Sequence, residues 1–163
     1  MSTFQQQLYR DLLSSALALL DRDAPPVSNM ANISAFIRFS LPEINWAGFY
    51  LLNNGVLMLG PFCGQPACLR IPLGKGVCGT AAAKDQTVVV PDVHAFPGHI
   101  ACDSASSSEI VIPLHMNGAV IGVLDIDSPV FSRFSDTEKE FFEEIAGALE
   151  ATIAFDHPQY SLC

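Results

Sequence analysis

Cys102 stands in the run HIACDS, with His99 three residues before it and His94 further upstream. An unperturbed thiol has a pKa of about 8.5, so a nucleophilic Cys102 needs a cation or a helix N-terminus beside it at neutral pH. His94, His99 or inward-turned backbone N–H groups could supply that. The same residue types also suit a Cys–His hydrolase dyad, or a small apolar residue tucked into a loop. Neither spacing nor flanks separate these readings. The segment around Cys102 favours chemistry. Pro91–Ser108 (PDVHAFPGHIACDSASSS) has no sustained helical or strand period. Irregular stretches this long inside compact domains are uncommon and are usually functional or disordered. The apolar runs on both sides, with Phe96 and two histidines inside, weigh against disorder.

The chain has five cysteines, at 63, 68, 78, 102 and 163. In a reducing compartment they are buried thiols, metal ligands or redox groups rather than static disulfides. Cys68 follows Gly64-Gln-Pro66, a flexible neighbourhood suited to a thiol that must move, and a sulfenic acid on Cys102 would need such a partner. Cys78, in VCGTAAA, looks packed at a helix start. No short C-x-x-C or H-x-x-x-H pair is present, so the spacing implies no metal. Gly74-Lys75-Gly76 lacks the full phosphate-loop pattern.

Three carboxylates follow the loop. Asp125 and Asp127 are two apart on a predicted strand and share a face. Glu109 opens the partner strand. With Asn117-Gly118 as the turn, residue 109 falls roughly opposite 126, which gathers all three carboxyl groups near one end of the ribbon. Such a cluster raises carboxyl pKa values and offers proton donors or an ammonium site; a solvated strand end is the plain alternative. Trp46 and Tyr50, four apart on another predicted strand, also share a face and suit either a core or a ligand wall.

These groups need a scaffold. Residues 3–22 have apolar residues at helical spacing, ended by Asp23-Ala-Pro25-Pro26. A second helix fits 28–39, with Ser28 as its cap. Strands 45–52 and 56–62 flank Asn53-Asn54-Gly55, a hairpin signal. A strand at 68–73, a short helix after Gly74-Lys75-Gly76, and a strand at 87–92 lead into the loop. Strands 109–115 and 119–127 form a second hairpin. A helix over 136–154 closes the chain, with Ser135 and Glu138 as a capping box. That order predicts an α+β domain, an antiparallel sheet with the N- and C-terminal helices on one face. The other face is left free for a pocket under the 91–108 loop.

The chain has 163 residues, half of them hydrophobic, which predicts one domain. The net charge of −9 and pI near 4.6 argue against nucleic acid and anionic membranes as partners. The polar start, MSTFQQQLYRDLL, does not read as a signal peptide, and no apolar run is long enough to span a bilayer. A cytoplasmic protein is expected.

The motifs NWAGFY, GPFCGQPAC, IPLGKGVCGTAA, VPDVHAFPGHIACDSASSSEIVIP and GVLDIDSP resemble the free methionine-(R)-sulfoxide reductases, which are single GAF domains. The resemblance covers about residues 44–155, with the GAF core at about 28–155 of a single domain 1–163. It implies a GAF fold, often dimeric, with no cofactor. It implies reduction of free L-methionine (R)-sulfoxide through a cysteine sulfenic acid and an intramolecular disulfide, with thioredoxin as reductant. Cys102 matches the catalytic cysteine, Cys68 the resolving cysteine, and Cys78 a third cysteine also able to bond Cys102. Trp46, Tyr50, Glu109, Asp125 and Asp127 match the substrate pocket. The sulfoxide oxygen must gain protons, for which Glu109 and Asp127 are the candidates, with Asp125 for the substrate ammonium; the acid and ammonium roles are exchangeable within the cluster. Cys63 and Cys163 are outside the pattern. A non-catalytic GAF module sensing a small molecule is the alternative, although such modules usually sit beside output domains.

Overall fold

A computed structural model describes residues 3–100 and 104–153. Helices α1 (Thr3–Leu17) and α2 (Pro26–Ser40) come first. Strands β1 (Trp46–Asn53), β2 (Val56–Cys63) and β3 (Arg70–Pro72) follow, then helix α3 (Gly76–Lys84) and strand β4 (Val88–Val90). After a 3-10 turn at Val93–Ala95 come β5 (Ser108–Met116), β6 (Ala119–Ser128) and helix α4 (Asp136–Thr152). The six strands form one sheet in the order β3-β2-β1-β6-β5-β4, and every neighbouring pair is antiparallel.

Both hairpins turn as their Asn-Gly pairs require. Asn54 and Gly55, and Asn117 and Gly118, all have positive φ, the type I′ geometry that matches strand twist. The capping box is present: Ser135 Oγ accepts from the Glu138 N–H, and the Glu138 carboxylate accepts from the Ser135 N–H.

Alternation along the strands makes two apolar faces. Ala47, Phe49 and Leu51 of β1, Ile110, Ile112 and Leu114 of β5, and Leu124 and Ile126 of β6 pack with Met30, Ile33 and Ile37 of α2 and Phe142, Ile145 and Leu149 of α4. Trp46, Tyr50, Val111 and Val123 point the other way, against Cys78, Ala81 and Ala82 of α3. The expected helical layer is therefore correct, but the second face is not left to the loop alone. Helix α3 covers part of it and forms one wall of what lies there.

Several boundaries differ from the sequence reading. Helix α1 stops at Leu17: Ala18 N still reaches four residues back to Ser14 O, but Leu19 N and Leu20 N bond only three back, to Ala16 O and Leu17 O. Ser28 is not a cap. Helix α2 begins at Pro26 with Pro25 before it, since a proline in the first turn lacks only an N–H that would have no helical partner. Strand β3 is shorter than 68–73.

The most consequential difference is the register of β5 against β6. Glu109 lies opposite Asp127, not residue 126. Near the turn, Met116 pairs with Ala119 and His115 with Val120; beyond it Leu114 pairs with Gly122. Ile121 is the extra residue of a β-bulge, which advances the register by one.

Candidate active site

The bulge decides which face Glu109 occupies. Directly opposed residues share a face, so pairing with Asp127 puts Glu109 alongside Asp127 and Asp125. Trp46 pairs with Asp127 and Gly48 with Asp125 on the other side of β6, extending the same face into β1. Gly48 is required there: a Cβ at this position would stand 2.6 Å from the Trp46 ring and also strike Phe62.

A pocket opens on this face. Its floor is Glu109, Asp125 and Asp127, and one wall is Gly76, Val77 and Cys78 from the first turn of α3. Ile71 closes one side, and His99, Ile100 and Ser106 of the long loop form the roof. All three carboxylates are buried, at 6%, 6% and 8% exposure. The Cys78 Sγ lies 3.9 Å from Glu109 Oε1, and one donor atom each from Cys78, Glu109 and Asp125 lies within 4.8 Å of the others. Asp125 Oδ1 is buried with no hydrogen-bond partner among the described residues.

Burial sets the protonation pattern. Glu109 is pushed well above the usual carboxylate range, first by desolvation and then by the charges of Asp125 and Asp127. Asp125 is pushed up to about 6, again by desolvation. Cys78 is raised by burial and then by Asp125 and Glu109, so its thiol stays protonated at neutral pH. His99 Nε2 stands 3.8 Å from Glu109 Oε2. Burial, with the charge of His94 second, lowers the His99 pKa, so near neutral pH this ring is not the cation a thiolate would want. His94 instead packs its Nδ1 3.0 Å from Asp92 on the surface.

Trp46 and Tyr50 are almost wholly buried and stack with their ring centroids 6.0 Å apart. Trp46 Nε1 donates to the Gln65 carbonyl at 3.0 Å, and the Tyr50 hydroxyl donates to the Cys68 carbonyl at 3.0 Å. Both rings thus anchor the 63–69 segment. Cys68 is half-buried against the α3-side core and forms no disulfide in the structure. Cys102 and Cys163 lie outside the described residues. The loop around Cys102 is tied on both sides: Val93 N donates to Ser107 O, Ser107 N to Ser128 O, and Asn45 Nδ2 to Ser106 Oγ.

Sequence reasoning found Cys78, Glu109, Asp125 and Asp127 but missed Ile71, Val77 and Ser106 as pocket residues. Ile71 and Val77 have no distinguishing signal, because apolar lining looks like core. Ser106 sits in a serine run that reads as loop filler.

Residues 31–153 match the GAF domain family. The chain is 49% identical over 148 residues to the free methionine-R-sulfoxide reductase of Escherichia coli, covering 91% of this chain and 90% of that one. It is similar to the structure of the reduced form of the fRMsr of Staphylococcus aureus (TM-score 0.85, 49% identity, 88% of this chain and 94% of that one). It is also similar to the free methionine-R-sulfoxide reductase from Neisseria meningitidis in complex with its substrate (TM-score 0.86, 43% identity, 93% of this chain and 92% of that one). The chain belongs to the GAF domain family and, within it, to the free methionine-R-sulfoxide reductases.

Proposed function

We propose that this protein reduces free L-methionine (R)-sulfoxide to L-methionine, with Cys102 as nucleophile, Cys68 as resolving thiol and a thioredoxin-type dithiol as reductant. The observation that carries the reading is the buried carboxyl floor. It offers a neutral acid, Glu109, beside an acid that is largely ionised at neutral pH, Asp125. A sulfoxide needs the first, because its oxygen must gain protons to leave sulfur. A free amino acid needs the second, because its ammonium must be balanced where water is excluded.

The Cys102 thiolate attacks the sulfoxide sulfur, and Glu109 and Asp127 supply protons to the oxygen. Methionine leaves and Cys102 holds the oxygen as a sulfenic acid. The Cys68 thiol then attacks Cys102 sulfur, water leaves, and a Cys68–Cys102 disulfide forms. An external dithiol returns both thiols and is itself oxidised. Asp125 holds the ammonium, and the N-terminal turn of α3, which lines the pocket, favours the substrate carboxylate. Trp46 and Tyr50 back the pocket wall and anchor the Cys68 segment through their bonds to Gln65 O and Cys68 O. A peptide-bound residue has no ammonium for Asp125. The pocket encloses about 20 Å³, room for a water but not for an amino acid. Substrate entry therefore requires His99, Ile100 and Ser106 to move off the carboxyl floor.

The test is turnover of both sulfoxide epimers, free and peptide-bound, with thioredoxin. The expected result is activity on the free (R) epimer alone, abolished in Cys102→Ser. Without reductant, one equivalent of substrate should consume two thiols. Turnover by Cys102→Ser, or equal rates on peptide-bound substrate, would refute the reading.

A further inference from the structure

We propose that the reduced protein binds a thiophilic divalent cation, of which Zn²⁺ best suits the donor set, on Cys78 Sγ and the carboxylates of Glu109 and Asp125. These ligands come from α3, β5 and β6, so no short sequence spacing announces them. Their donor atoms lie within 4.8 Å of one another. The 3.9 Å from Cys78 Sγ to Glu109 Oε1 is close to the edge of a zinc tetrahedron, about 3.6 Å for Zn–S and Zn–O bonds of about 2.3 and 2.1 Å.

A second observation points to a ligand at this place. Asp125 lines the pocket, is 6% exposed, and its Oδ1 has no hydrogen-bond partner among the described residues. A buried carboxylate oxygen without a donor is costly, and a cation offsets that cost directly. The enclosed space of about 20 Å³ takes a particle the size of a water. His99 also lines this pocket, with its Nε2 3.8 Å from Glu109 Oε2, and offers an imidazole beside the three donors. A thiolate with carboxylates and an imidazole selects zinc-like ions over Mg²⁺ or Ca²⁺, which prefer oxygen alone. The chain's net charge of −9 adds a field that draws cations in.

Binding needs no redox partner. The Cys78 thiol exchanges its proton for the metal, and Glu109 releases its own proton in the same step. Because metal binding releases these protons, affinity should rise with pH. The cation would occupy the place of the substrate ammonium. That competition rests on the reductase reading above; the binding itself does not.

The experiment adds Cd²⁺, a spectroscopic stand-in for Zn²⁺, to the reduced full chain in weak buffer. The expected result is a thiolate-to-cadmium ultraviolet band saturating at one equivalent, with proton release, and displaced by Zn²⁺. Cys78→Ser should abolish the band, Cys63→Ser should leave it, and Asp125→Asn should weaken binding by at least about tenfold. Circular dichroism checks that each variant folds, and Asp125→Asn decides the matter if Cys78→Ser does not. No band in the parent protein, or unchanged binding in Asp125→Asn, would overturn the site. L-methionine, added without its oxygen so that no thiol is consumed, should raise the apparent Kd for Cd²⁺. A one-equivalent, Cys78-dependent band indifferent to methionine would keep the cation site and overturn the competition.

Discussion

Glu109 stands directly across the β5–β6 ladder from Asp127, and it does so because Ile121 is bulged out of β6. Without the bulge, the Asn117-Gly118 turn would set Glu109 opposite Ile126. Ile126 belongs to the core under α2 and α4. A one-residue slip in register turns a side chain to the opposite face. The bulge is thus the device that removes a carboxyl from the helical core and delivers it to the pocket.

Glu109→Gln tests what that placement is for. The amide keeps the shape but cannot act as a carboxylic acid, so kcat should fall by roughly 10²–10⁴, the usual worth of a positioned proton donor. Methionine affinity should change little. Single-turnover kinetics with free methionine sulfoxide would separate the two. An unchanged chemical step would move the proton donor to Asp127.

The same residue shows how far the sequence could be read. Hairpins, capping box and helical layer follow from local signals: paired Asn-Gly turns with positive φ, Ser135 three residues before Glu138, and apolar residues at helical period. The carboxylate cluster was legible as a cluster, since two strands joined by one tight turn bring residues about equally far from it together, here at the open end of the ribbon. Its face was not, because Gly122 in VIGV marks either a bulge or a close backbone approach without saying which, and the bulge at Ile121 that fixes the register is set by strand twist and packing. The convergence of Cys78 with Glu109 and Asp125 was also hidden. It depends on α3 docking onto the β5–β6 face, a long-range contact that no local spacing encodes. Ser28 misled because it is a good cap in the abstract, while Pro25-Pro26 starts the helix earlier.

Asp125 predicts a pH-dependent stability. Its folded pKa of about 6 lies above the ordinary 3.8, so the native state holds the proton more tightly than the unfolded chain. That contribution is full below about pH 4 and is lost as pH rises through 6. Asp125→Asn cannot lose it. The stability of the variant relative to the parent should therefore increase between pH 4 and 7 by an amount on the order of 1–3 kcal/mol. Urea unfolding at a series of pH values measures the difference. A flat difference would mean that folding does not perturb this carboxyl.

Gly48→Ala should act first on Trp46 and on the packing of β1 against β2. The added methyl group would meet the indole and Phe62 on β2, forcing β1 and β2 apart. Overpacking of this kind costs about 1–3 kcal/mol. Trp46 is the sole tryptophan and stacks on Phe62 at 5.4 Å, so its emission should shift as the stack opens. Its anchor to Gln65 O would loosen with it. An unaltered midpoint and emission spectrum would show that the two strands have slack at this point.

Cys68→Ala addresses which thiol resolves the sulfenic acid. Attack in thiol exchange scales with the fraction present as thiolate. Cys78 is buried against three carboxylates, which suppresses its thiolate strongly. Cys68 is half-buried, and the bond from the Tyr50 hydroxyl goes to its carbonyl, which fixes the backbone without engaging the sulfur. Cys68→Ala should therefore release one methionine per protein without reductant, as the parent does, because the first attack needs only Cys102. With thioredoxin it should then stall, leaving a sulfenic acid that a dimedone-type probe labels. Steady recycling at the parent rate would instead make Cys78 the resolving thiol despite its burial.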